Sequence, residues 1–170
     1  MFPADQLIEE MNRLGVHFVV GDSLPGNMDS ISPVELMAGL VVHNDARIRL
    51  SLIPLLLQHP EYSEFAQEAL DMLDDSQKMI FKLYYTAASL LQLIYNDQIL
   101  GLVEGSQVIY DHFSKELAIR NEGTAKERLR ELAKRHQEIT TLPVNWYGTY
   151  HHAAKRILTR MQREREWARI

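Results

Sequence analysis

The stretch Asp45–Glu61, DARIRLSLIPLLLQHPE, constrains this chain more than any other. Ile48, Leu50, Leu52, Ile53, Leu55, Leu56 and Leu57 leave a helix almost no face for water. Arg47, Ser51, Pro54 and Gln58 recur four, three and four residues apart, so they share one narrow helical stripe. The rest of that helix has to be covered by protein. Pro54 removes the donor that would bond the Leu50 carbonyl, which predicts a kink. Arg49 lies opposite the polar stripe, among residues expected to be buried. A buried guanidinium needs a partner, and Asp45, four residues earlier, is the candidate. The expectation is a structural Asp45–Arg49 pair. A ligand-binding or catalytic role for Arg49 is the alternative.

The remaining pattern is helical. Leu7, Ile8, Met11 and Leu14 recur at helical spacing within Phe2–Leu14, and Gly15 stands where a C-terminal stop belongs. Ser32-Pro33-Val34-Glu35 is a capping box with proline in the first turn. Pro60 starts a helix carrying Phe65, Ala66, Ala69, Leu70 and Leu73, and Asp74 and Asp75 open a long helix over Gln77–Tyr95. On that helix Lys78, Lys82, Ser89, Gln92 and Asn96 mark a polar strip, while Phe81 and the tyrosines read as core or, alternatively, as the wall of a planar-ligand pocket. Further helices are expected over Gln107–Leu117, from the capping box Thr124-Ala125-Lys126-Glu127 to about Ile139, and from Trp146 to Ala168. Val16–Val20 has strand composition and is expected either to pack as extended chain or to pair with another chain. The fold expected for residues 1–170 is one all-α domain, a bundle of about seven helices with one possible short N-terminal strand, centred on Ala46–Gln58 and Gln77–Tyr95.

Composition narrows the chemistry. Cysteine is absent, which excludes disulfides, thiol catalysis and thiolate metal sites together. The first residues lack a basic region ahead of an apolar run, and Met79–Tyr95 is short for a bilayer and interrupted by polar residues, so a soluble cytoplasmic chain with no membrane partner is expected. Net charge is −5, divided unevenly: residues 1–114 carry −11 and residues 115–170 carry +6. Either the C-terminal helices fold back on the acidic body, or they present a basic surface for nucleic acid or an acidic partner. Lys126, Arg128, Lys134, Arg156, Arg160 and Arg163 are the candidates for that surface.

Motifs of chemistry are sparse. His151 and His152 are adjacent and point about 100° apart on a helix, no zinc-type spacing is present, and no metal or other cofactor is expected. Ile48–Leu57 is too apolar for a recognition helix, so a helix-turn-helix over Ser32–Gln58 is excluded. No phosphate loop or nucleophile elbow occurs.

Four resemblances attach to particular residues. The opening through Val20 and Gly21, with Ser23, resembles the start of minimal nucleotidyltransferase domains, but Asp29 stands alone where that family has paired metal-binding aspartates, which rules the activity out. The Asp-Ala-Arg turn between two helices is similar to one HEAT-type repeat, without a second copy. The segment D-A-R-I-R-x-x-L-I-P-L-L-L-x-H-P-E, continuing through Tyr84–Tyr95 and Phe113–Leu117, resembles small bacterial proteins of about this length without assigned activity. That likeness implies an accessory or antitoxin-like role beside a nucleotidyltransferase and supplies no catalytic residue. Arg130 and His136 fit the Arg-x5-His spacing of HEPN ribonucleases, in which arginine holds phosphate and histidine moves a proton. The expected function is a non-enzymatic interaction or regulatory module with a protein partner or a second copy of itself. The alternatives are a HEPN-like ribonuclease and nucleic-acid binding through the basic C-terminal third.

Overall fold

The computed structural model describes residues 2–21 and 29–170. Among them the ordered elements are all helical: α1 (Ala4–Arg13), α2 (Pro33–Val42), α3 (Ala46–Leu50), α4 (Leu52–Gln58), a 3-10 turn (Pro60–Phe65), α5 (Ala66–Asp71), α6 (Asp75–Ile94), α7 (Asn96–Leu102), α8 (Ala125–Thr140) and α9 (Trp146–Ala168). No strand forms among the described residues. Ser23 lies outside them.

The greasy helix sits where its composition requires. Leu52, Ile53, Leu55 and Leu56 of α4 are fully buried, as is Leu91 of α6. α6 packs against α4 and α8, and one cluster of buried apolar side chains draws on every helix. Of the polar stripe only Arg47 is exposed. Ser51 is buried, and its hydroxyl donates to the Ile48 carbonyl. Gln58 donates to the Gly15 carbonyl at 2.9 Å and His59 Nε2 to the Leu14 carbonyl at 2.7 Å, which fastens the end of α1 to the end of α4. The proline break falls at Ser51, separating α3 from α4 and leaving Pro54 in the first turn of α4, where a missing donor costs least.

The helix starts follow the sequence signals. Ser32, Asp74 and Thr124 each complete a capping box, with Glu35, Gln77 and Glu127. α1 ends as expected at Gly15, whose φ of +76° lets its N–H reach the Asn12 carbonyl while Val16 N–H bonds Met11. Val16–Val20 is extended chain rather than a strand. Val16 and Phe18 plug the core and Val20 points outward, so this segment needs no pairing strand to cover its apolar side.

Two connections differ from the sequence reading. Asn96–Leu102 is a helix, and Gln107–Leu117 is not. Residues 106–112 form an extended strap across α6, held by side chains one to two turns apart. Tyr85 donates to the Tyr110 carbonyl at 2.9 Å and Ser89 to the Ile109 carbonyl at 2.9 Å. Gln92 donates to the Gln107 carbonyl at 2.7 Å and accepts from Ile109 N–H at 2.8 Å. Ser89 and Gln92 of the expected polar strip, with Tyr85, are therefore a covered docking ladder, Lys82 is paired to Glu116 farther along, and Asn96 stays exposed. No described helix is long and apolar enough to cross a membrane.

Candidate functional site

The expected Asp45–Arg49 pair does not form. Asp45 is the N-cap of α3 and is extended, so the same-face geometry of helix positions i and i+4 does not reach it. Its carboxylate accepts from Arg47 N–H at 2.8 Å and pairs with the Arg47 guanidinium at 3.0 Å. Those contacts hold its pKa below the usual carboxylate value. Arg49 instead donates to the carbonyls of His43 and Asn44, both at 2.8 Å, closing the carboxyl end of α2. The guanidinium is thus tied to backbone carbonyls in place of the expected carboxylate.

Arg130 and His136 are not brought together. Six residues along a helix is one and two-thirds turns, so they leave α8 from different faces. Arg130 is exposed, its guanidinium 5.0 Å from the centre of the Tyr147 ring. His136 is 1% exposed, stacked on Trp146 at 3.5 Å, edge-on to Tyr84, and hydrogen-bonded through Nδ1 to the Tyr150 hydroxyl. Burial, helped by the nearby Arg49 charge, pushes its pKa down to about 3. It is a neutral core imidazole beyond the reach of a phosphodiester, and Arg130 has no general base beside it from this motif.

The six basic candidates separate into two groups. Arg128 is committed to the fold: its guanidinium bonds Asp111 at 2.6 Å, Ser114 and the Arg120 carbonyl. Lys134 is exposed on α8 and lines neither of the clefts that the other basic candidates border. Lys126, Arg156, Arg160 and Arg163 do converge. They border two adjoining clefts that share His152 and Lys155. The first runs along α9 from His152 to Trp167, with His17 and Val20 of the N-terminal segment as its other wall. The second is a recess between the end of α6 and the starts of α8 and α9, lined by Tyr95, Tyr147, His151 and Lys126. Together the linings hold five Lys and Arg side chains and one carboxylate, Glu164, already hydrogen-bonded to Arg160 at 3.0 Å. Among the described residues, Lys126, Lys155, Arg156 and Arg163 make no ion pair. The folding-back alternative therefore accounts for Arg128 and leaves this face open.

Aromatic rings stand at the two ends of this face, Tyr147 with the Arg130 guanidinium over it at one and exposed Trp167 at the other, while Arg156 lies 5.1 Å from the centre of the buried Phe18 ring. Lys155, His151 and His152, Tyr95, Tyr147 and Trp167 were not singled out from sequence as part of this site. The repeat of basic side chains at 152, 155, 156, 160 and 163 was legible as one helical face, whereas the histidine pair invites only a metal reading. Tyr84 and Tyr85 are buried in the core; Tyr95 alone of the α6 tyrosines reaches a cleft. Among the described residues no group of three His, Asp or Glu side chains could hold a metal ion. No known protein family, curated protein or solved structure matches this chain.

Proposed function

We propose that the protein is a non-enzymatic helical binding module that takes nucleic acid along the outer face of α9. One observation carries the reading. Five cationic side chains face two adjoining clefts whose single carboxylate is occupied, with Tyr147 at one end of the row and Trp167 at the other. Cations on one face attract a phosphate backbone, and rings along its track provide platforms for bases. From Tyr147 to Trp167 this face of α9 is about 30 Å long at the helical rise of ~1.5 Å per residue. That length suits a run of several nucleotides. The body beneath is acidic, so the ligand is confined to this side of the molecule. The reading places the chain in the cytoplasm.

The test is fluorescence anisotropy of a labelled oligonucleotide across a salt series. If about five phosphates of a single strand are neutralised, log affinity falls with log salt at a slope of roughly −3.5, near a hundredfold between about 50 and 200 mM. Reversing two charges, Arg156→Glu with Arg163→Glu, removes binding while leaving the fold intact, since both side chains are exposed. Absence of binding at low salt, or binding indifferent to salt, defeats the reading. Light scattering on the same samples reports whether a second copy joins; a protein partner without nucleic acid would leave the oligonucleotide unbound.

A further inference from the structure

The recess at the head of this face has features that phosphate attraction alone does not require. The Tyr95 hydroxyl and His151 Nδ1 are hydrogen-bonded at 2.7 Å, and the Tyr147 and His151 rings meet edge to face at 4.5 Å, so three rings are locked together in the wall of the recess. Lys126 and Lys155 stand at the rim and no carboxylate lines the recess. Burial and the charges of Lys155, Lys126 and Arg130 hold His151 below its ordinary pKa, so the ring is neutral at neutral pH and adds no charge to the recess. The space is about 680 Å³, shallow and widely open to solvent, so a group on a long polymer can enter it from the side.

We infer that this recess receives one unpaired base of a single strand, laid against Tyr147, while Lys126 and Lys155 hold the phosphates on either side of it. The inference rests on the nucleic-acid reading above and adds to it a choice of strand. A paired base is stacked inside its duplex and cannot enter a recess walled by two helix starts and the end of a third. A base turned out of a single strand offers a ring face for the half-exposed Tyr147 and its flanking phosphates for the two lysines. An acidic peptide would satisfy the lysines but would leave the ring face without a counterpart.

The experiment compares three labelled ligands of equal length on the full chain: oligothymidine, the same backbone with abasic sites, and a duplex. Oligothymidine is expected to bind roughly five- to a hundredfold more tightly than the abasic strand, the range of one stacked base, with an unchanged salt slope. Tyr147→Ala should lower oligothymidine affinity to the abasic level, and Tyr147→Phe should restore it. Trp167→Ala, in the exposed last turns of α9, should leave the preference for oligothymidine over the abasic strand unchanged, and loss of that preference in this variant would place the stacked base outside the recess and overturn the inference even if Tyr147→Ala fails to fold. Equal affinity for all three ligands overturns the inference while leaving the nucleic-acid reading standing. Failure of all three to bind at low salt overturns both.

Discussion

Replacing Gln92 by leucine tests how the strap is held. The side chain makes two bonds, one to the Gln107 carbonyl and one from Ile109 N–H. Leucine has similar bulk and keeps the site apolar, so the change isolates the polar function. Ile109 is 2% exposed, so its N–H would be stranded away from water, at a cost of about 1–3 kcal/mol. Gln107 is exposed, and its carbonyl can recover a water, so that bond is worth about 1 kcal/mol. Extra apolar contact from leucine offsets roughly 1 kcal/mol. The net destabilisation should be about 2 kcal/mol. Ser89→Ala and Tyr85→Phe each remove one bond to a carbonyl and should cost about 1 kcal/mol. Urea denaturation gives the totals. Hydrogen exchange gives the location, with the Ile109 amide exchanging faster in Gln92→Leu while amides in the middle of α4 and α6 keep their protection. A stability change below about 0.5 kcal/mol together with a still-protected Ile109 amide would refute the ladder as the means of attachment.

Other outcomes follow from the same geometry. His136 has a folded pKa of about 3 against an ordinary 6.5, so below pH 6.5 the unfolded chain binds the extra proton; stability is full above that pH and falls as pH drops toward 3, by about 1.4 kcal/mol per unit, and His136→Gln should remove that slope from denaturation curves measured between pH 6.5 and 4.5. Gly101 lies in α7 with open space where a Cβ would go, so Gly101→Ala should raise stability by about 0.5–1 kcal/mol. Gly123 has φ +90° and a Cβ there would strike Glu127 of the α8 capping box, so Gly123→Ala should cost about 1–3 kcal/mol; the pair is checked by thermal melting. A double-mutant cycle between Asp45 and Arg49 should return a coupling below about 0.5 kcal/mol, because each is bonded elsewhere, while Arg49→Leu alone costs about 2 kcal/mol by uncovering two carbonyls.

Local chemistry was legible in the chain and long-range commitments were not. Ser32, Asp74 and Thr124 announced helix starts because a cap involves only residues three apart. Leu52 to Leu57 announced the centre because no other environment accepts that many adjacent leucines. Gln92 and Ser89 read as a wet strip because a sequence does not reveal that a segment fifteen or more residues later supplies the partners. Val108, Ile109 and Phe113 then looked helical by spacing, although Ile109 and Phe113 turn inward from a strap and a turn. At the site, Arg156, Arg160 and Arg163 were readable from period alone. Tyr95 was not, because its place beside His151 depends on how α6 ends against α9.

The last turns of α9 have a consequence of their own. No residue after Met161 is buried, and the side-chain links there are Arg160 to Glu164 and Gln162 to Glu166, one turn apart on the surface. Such links are worth only about 0.3–0.5 kcal/mol each. The arm therefore keeps its helicity on its own account rather than the bundle's. Heating or acid should unwind it gradually, ahead of the single cooperative transition of the rest. A polyanion laid across Arg160, Arg163 and Trp167 would stiffen it, so ligand should sharpen the melting curve at its low-temperature edge.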